Sequence, residues 1–246
     1  MALARQGGLM RVLGILGGMS WESTAVYYRL LNQGVAQRLG GLHSAPLLLH
    51  SVDFAPIAAM QAAGDWDQAA EVLSHAAQGL QRAGAQGLLL ATNTMHLVAQ
   101  RIEAAAALPL LHIADATGVA LQAAGLQRVA LLGTRFTMED DRIVRARLQQ
   151  RFGLAVSVPG DADRALMHRV IYEELCRGVV AAHSRDAVVA IIERQREQGA
   201  QAVILGCTEI GLLIDATCSP LPVFDTTVLH AAAAVDWILD LEGKPA

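Results

Sequence analysis

"GAQGLLLATNT" occupies residues 84–94, and "GAQAVILGCTE" occupies residues 199–209. Each opens on Gly-Ala-Gln, continues through an apolar run and ends in a polar turn. The run suits a strand buried on both faces, as in a parallel sheet covered by helices. Thr92 and Cys207 hold equivalent places just past that run. Whether the match is a repeat or a coincidence of aliphatic strands decides the fold.

Two further pairs point to a repeat. "RVLGILGG" (11–18) returns as "RVALLGT" (128–134), and "LPLLHIADAT" (108–117) returns as "LPVFDTTVLH" (221–230). Three anchors in the same order indicate an internal duplication. Strands are predicted over 11–18, 45–53, 87–92, 108–115, 128–134, 155–160, 202–208 and 221–226. Helices are expected between them, including Glu22–Arg38, Asp67–Ala83, Asp163–Cys176 and Ser184–Gln198. The fold class that follows is α/β: two pseudo-symmetric parallel-sheet domains with the active site in the crevice between them. The first half is expected over 10–114, completed by a C-terminal helix at 227–242, and the second over 115–226. Related by a pseudo-twofold axis, Thr92 and Cys207 would face each other across one ligand.

Composition narrows the chemistry. Of 246 residues, 53% are hydrophobic and 17% charged, with a net charge of −4, which leaves no footprint for nucleic acid or an anionic membrane. No apolar run approaches the ~18 residues of a membrane span. The first ten residues read as a disordered leader rather than a signal peptide. Three cysteines without C-x-x-C spacing, and eight histidines without ligand spacing, indicate neither a disulfide framework nor a metal site. A cytoplasmic protein is the expectation. The only lysine is Lys244, in the C-terminal tail, so a Schiff base with pyridoxal phosphate has no plausible anchor. No cofactor is expected.

The loops after the paired strands carry the candidate chemistry. A cysteine between a strand and a helix N-terminus meets free N–H groups and a positive dipole end, a setting that lowers a thiol's pKa. Cys207 is therefore expected to be an activated thiol. Asn93, Thr94 and Thr208 offer amide and hydroxyl groups for a carboxylate, and Glu209 an acceptor for an ammonium. "GILGGMS" (14–20) lacks the G-x-G-x-x-G order of a dinucleotide turn. Its Ser20 or Ser23 could cap a helix, and the backbone around Met19 could equally meet a ligand. Thr134 and Thr137 are further ligand candidates, and Arg135 reads as well as a surface charge. Cys176, His96 and His112 are expected to be structural, and Cys218 to lie in a surface loop.

Together "GILGGMSWEST" (14–24), "TNTMH" (92–96), "LLGTRFTM" (131–138) and "GCTEIG" (206–211) resemble the cofactor-independent aspartate/glutamate racemase family, nearest its L-aspartate/glutamate-specific branch. The resemblance spans nearly the whole chain. It implies a two-base mechanism on a small amino-acid substrate, with Cys207 taking the α-proton of the L form and Thr92 donating or relaying a proton on the other face. It also admits a homodimer. Most of the family has cysteine where Thr92 stands, so L substrates are expected to be used better than D. Aspartate racemases of this kind place an arginine after the second strand. Here no Lys or Arg lies between Arg38 and Arg82, and the matching stretch "FAPIAAMQ" (54–61) offers only Gln61 as a polar replacement. The family's lysine near Cys176 is also missing.

Two other readings remain open. A cofactor-free decarboxylase of the arylmalonate type also needs one cysteine in the second half. A non-catalytic sensor of acidic amino acids could dispense with the first base. Asn93 and Glu209, which suit an amino acid, favour racemisation.

Overall fold

The computed structural model describes residues 10–240. The leader at 1–9, Lys244 and the last residues of the expected C-terminal helix lie outside them. The first half runs β1 (Leu13–Gly17), α1 (Trp21–Leu39), β2 (Leu47–Ser51), α2 (Phe54–Ala63), α3 (Trp66–Arg82), β3 (Gly87–Leu90), α4 (Ala99–Ala106), β4 (Leu110–Leu111) and α5 (Ile113–Ala123). The second runs β5 (Arg128–Gly133), α6 (Arg135–Glu139), α7 (Arg145–Phe152), β6 (Ala155–Ser157), α8 (Asp161–Arg169), α9 (Ala182–Glu197), β7 (Ala202–Gly206), β8 (Val223–Asp225) and α10 (Thr226–Ile238).

Two four-stranded parallel sheets result, ordered β2-β1-β3-β4 and β6-β5-β7-β8. The second order repeats the first, strand for strand, as the duplicated sequence predicts. Apolar content sorts the strands physically. β1, β3 and β7 are buried along their whole length, whereas the edge strands β2 and β6 are largely exposed. This is the burial expected where helices cover both faces of a sheet centre.

Four apolar clusters fill the spaces between layers. One joins α2, α3 and α4 to one face of the first sheet, and another joins α1 and α10 to its opposite face. The second sheet is covered by α8 and α9 on one side and by α5 and α7 on the other. The helices that end the two repeats are thus exchanged: α5 follows β4 but packs on the second sheet, and α10 follows β8 but packs on the first. The α1–α10 seam is tight because Gly34 has no side chain. A Cβ there would stand 2.6 Å from Val235 Cγ2.

Most strands are shorter than expected, and two elements change extent for a local reason. The strand expected over 108–115 shortens to two residues, because the His112 ring accepts the Ala114 N–H at 3.2 Å and caps α5 instead. The helix expected over 163–176 ends at Arg169, continues as one wide π turn over Val170–Glu174 and closes with a 3₁₀ turn to Arg177. That change of winding turns Tyr172 and Cys176 toward the crevice. No helix among the described residues is long and apolar enough to cross a membrane.

Candidate active site

β3 and β7 are the central strands that deliver Thr92 and Cys207 at their C-terminal ends. β7 reaches the crevice by close approach to β5. A Cβ on Gly206 would stand 2.5 Å from Leu131 Cδ1 and 3.0 Å from the Leu132 carbonyl oxygen. Glycine before the cysteine is therefore a steric requirement. Beyond it a cleft opens between the sheets. The eight residues put forward for catalysis or substrate binding line it, Met19, Gln61, Thr92, Asn93, Thr94, Cys207, Thr208 and Glu209, as does Thr134 of the further candidates, but not Thr137.

The second-half loop is a compact hydrogen-bonded cluster. Cys207 Sγ donates to Glu209 Oε2 at 2.9 Å, and Thr208 Oγ1 donates to the same oxygen at 2.7 Å. Ser20, from the β1–α1 turn of the other half, donates through Oγ to Glu209 Oε1 at 2.7 Å. Ser20 also caps α1, accepting the Ser23 N–H. Glu209 is buried and tied to both halves.

This corrects two expectations. Only a three-residue 3₁₀ turn, Ile210–Leu212, follows Cys207, so no helix dipole of any length reaches the thiol. Its pKa is raised rather than lowered, first by burial, then by the Glu209 charge, the nearby Cys176 and the hydrogen bond to Glu209. The Glu209 N–H, turned toward the sulfur, acts weakly the other way. Glu209, expected to receive an ammonium, already accepts from Thr208 and Ser20 at 2.7 Å and from the thiol at 2.9 Å.

The first-half loop offers complementary groups. Thr92 is buried at the cleft wall, and its carbonyl oxygen lies 2.8 Å from His96 Nδ1. Because His96 Nε2 accepts the Ile113 N–H at 3.2 Å, Nδ1 carries the proton and donates to Thr92. His96 thus sets the position of the Thr92 turn, a structural role consistent with its burial and depressed pKa.

Asn93 Nδ2 donates to Thr226 Oγ1 at 3.0 Å. That hydroxyl spends its own proton on the Leu205 carbonyl, which fixes the amide's orientation. Asn93 Oδ1 is left buried without a partner, and such atoms are uncommon unless a ligand or water completes them. Thr94 Oγ1 sits 3.1 Å from both Thr134 Oγ1 and Thr137 Oγ1, which are 3.1 Å apart. This hydroxyl triangle joins the halves, and Thr134 opens onto the cleft.

Across the cleft, Gln61 Oε1 accepts from the Tyr172 hydroxyl at 2.8 Å, and Gln61 Nε2 donates to Met95 Sδ at 3.0 Å. Phe54 stacks on Tyr172 with ring centroids 6.1 Å apart. Phe54, Ile171, Tyr172 and Cys176 all line the site and were not foreseen there. Cys176, expected in the core, packs against the core of the second half and also faces the cleft. Its thiol, like the Tyr172 hydroxyl, is pushed up by burial. The winding change after α8 places them, and no residue pattern announces it. Arg135 lies at the surface beside Glu139, and Cys218 lies in a partly exposed turn.

Residues 16–234 match the model of the Asp/Glu/Hydantoin racemase family. An Asp/Glu racemase candidate from Yersinia pestis is 53% identical, with a TM-score of 0.86 over 94% of this chain and 100% of its own. PH1733, an aspartate racemase homologue from Pyrococcus horikoshii, is 30% identical, with a TM-score of 0.76 over 94% of this chain and 99% of its own. A mutant of arylmalonate decarboxylase is 16% identical, with a TM-score of 0.56 over 95% of this chain and 94% of its own, and shares the fold.

Proposed function

The chain belongs to the Asp/Glu/Hydantoin racemase family, and from that premise we propose that it racemises an amino acid without pyridoxal phosphate, exchanging the α-proton between Cys207 and Thr92. The observation that carries this reading is that the Cys207–Glu209 pair and Thr92, from the two halves, line one cleft.

The pair gives the thiol proton somewhere to go. Transfer from Sγ to Glu209 Oε2 leaves thiolate beside a neutral carboxyl, so the pair's net charge does not change. The thiolate then takes the α-proton of the L form, and the electron pair passes into the substrate carboxylate. Thr92 delivers a proton to the opposite face and regains one from solvent, while Glu209 releases to solvent the proton it took from Sγ, so the cycle closes. Burial and the Glu209 charge raise the thiol's pKa, so thiolate is scarce and, once formed, strongly basic. Asn93 Oδ1, unpaired in the structure, accepts from the substrate ammonium. One hydroxyl of the Thr94–Thr134–Thr137 triangle can turn its proton to the α-carboxylate. That carboxylate must be stabilised as charge builds on it, since proton transfer alone is worth only ~10²–10⁴-fold.

The family's name makes aspartate and glutamate the first substrates to try, and the single second-half thiol makes their L forms the ones expected to react faster. A hydroxyl is a much poorer acid–base group than a thiol, so Thr92 is the weak side. Thr92→Ala is expected to slow racemisation, read by chiral chromatography, more than α-proton exchange on the L form, read by NMR in deuterium oxide. Thr92→Cys is expected to raise use of the D form. Equal losses in both readouts for Thr92→Ala would remove Thr92 from the mechanism. Decarboxylation of an arylmalonate without amino-acid exchange would favour one-sided protonation by Cys207 instead.

A further inference from the structure

The residues lining the cleft include one ionisable acid, Glu209, and no arginine, lysine or histidine. Glu209 is already held by Ser20, Cys207 and Thr208. Setting aside the proton-transfer pair, the two strand-end loops and Thr134 of the threonine triangle, the wall left to meet a substrate side chain is Met19, Phe54, Gln61, Ile171, Tyr172 and Cys176. None of these carries a positive charge. Burial keeps the Tyr172 hydroxyl and the Cys176 thiol protonated, because it pushes both pKa values up. No arginine lines the cleft, and three of them are held elsewhere, Arg147 and Arg151 on Asp115 and Arg194 on Asp163.

A dicarboxylic amino acid brings a second carboxylate into this space. Its only charged neighbour there would be another carboxylate, at Glu209. An ion buried without a partner costs several kcal/mol, far more than a neutral group that finds hydrogen bonds. The same wall has spare hydrogen-bonding capacity of a neutral kind. Gln61 uses one N–H on the sulfur of Met95, a weak acceptor, and keeps a second N–H. The Tyr172 hydroxyl donates to Gln61 and retains its acceptor lone pairs. The Phe54–Tyr172 stack and the Tyr172–Gln61 bond close the wall, which limits the side chain's length.

We propose that the cleft selects an α-amino acid with a short, uncharged, hydrogen-bonding side chain, a carboxamide or a hydroxyl, over the dicarboxylates. The selection is made by Gln61 and Tyr172 in a wall without a cation. It rests on the racemase reading of the same site and narrows its substrate class.

Isosteric pairs isolate the charge. Wild-type protein is given L-asparagine against L-aspartate, L-glutamine against L-glutamate, and L-serine, and the rate of α-proton exchange in deuterium oxide is followed by NMR. In at least one pair the carboxamide is expected to exchange at least tenfold faster than its acid at limiting concentration. Faster exchange of the acid in both pairs, with no exchange of serine, would overturn the selection while leaving the racemase reading intact. Exchange on none of the five would remove both together. Gln61→Arg supplies the missing cation and is expected to shift the ratio toward the acid. The wild-type ratios decide the matter should that variant fail to fold.

Discussion

At the scale of the residue, the account turns on one short contact. Cys207 and Glu209 stand two positions apart in the chain, and their side chains meet at 2.9 Å inside the cleft. Glu209→Gln keeps the shape but removes both the charge and the proton acceptor. The Cys207 thiol is expected to titrate at lower pH in this variant, because the Glu209 carboxylate holds its pKa up. Ultraviolet thiolate absorbance, corrected with a Cys207→Ser control, would read that shift. Exchange on the L form is expected to fall by about 10²–10⁴-fold, the worth of a positioned acid–base group. A lower thiol pKa with undiminished exchange would separate Glu209 from proton transfer. The sequence made the positions legible, since the repeat alone aligns Thr92 with Cys207, and both line the cleft. It did not make the electrostatics legible. A cysteine past a strand suggested a dipole-activated thiol, but three residues of 3₁₀ turn supply no such dipole. Burial and the neighbouring carboxylate decide instead.

At the scale of the element, strands were easier to foresee than helices, for a physical reason. A buried parallel strand is a short uninterrupted apolar run, and eight such runs became the eight strands of two sheets with matching order. Boundaries depended on side-chain capping that spacing does not announce, as at His112, whose ring starts α5. The π turn after α8 was invisible too, and with it the approach of Tyr172 and Cys176 to the site. The exchange of α5 and α10 between the halves is a matter of long-range packing. It has a sharp test at Gly34, where α1 and α10 touch. Gly34→Ala gains helix propensity worth up to about 1 kcal/mol. It also drives a methyl to 2.6 Å from Val235 Cγ2, and overpacking of that kind costs about 1–3 kcal/mol. Net destabilisation in denaturant melts is expected, with stability regained in the Gly34→Ala/Val235→Ala double variant. Stability unchanged or improved in Gly34→Ala alone would show that the two helices are not packed so closely.

For the whole molecule, the seam between the halves carries three histidines. His230, on α10, donates through Nε2 to the Leu111 carbonyl at 2.8 Å and accepts the Tyr27 hydroxyl at Nδ1. His96 and His112 pack beside it, with ring centroids 4.6 Å apart. Burial lowers all three pKa values, to about 4 for His230 and about 3 for His112. The unfolded chain takes up these protons near 6.5, before the folded chain does. Stability is therefore full above pH 6.5 and declines as pH falls from there toward 4 and 3. Each histidine contributes roughly 1.4 kcal/mol per pH unit within that window. Urea melts at pH 7.5 and 5 should show the loss, and His230→Gln should lessen its slope. A midpoint unchanged between the two pH values would mean that the seam admits protons freely.

The central claim is that Cys207 is the base for the L form. It is tested most directly by α-proton exchange in deuterium oxide, without added pyridoxal phosphate, on both enantiomers of the best-exchanged amino acid, for wild-type protein and Cys207→Ser. Wild type is expected to exchange the L form much faster than the D form, and Cys207→Ser to lose the L-form exchange by about 10²-fold or more. Undiminished exchange of the L form by Cys207→Ser would contradict the account.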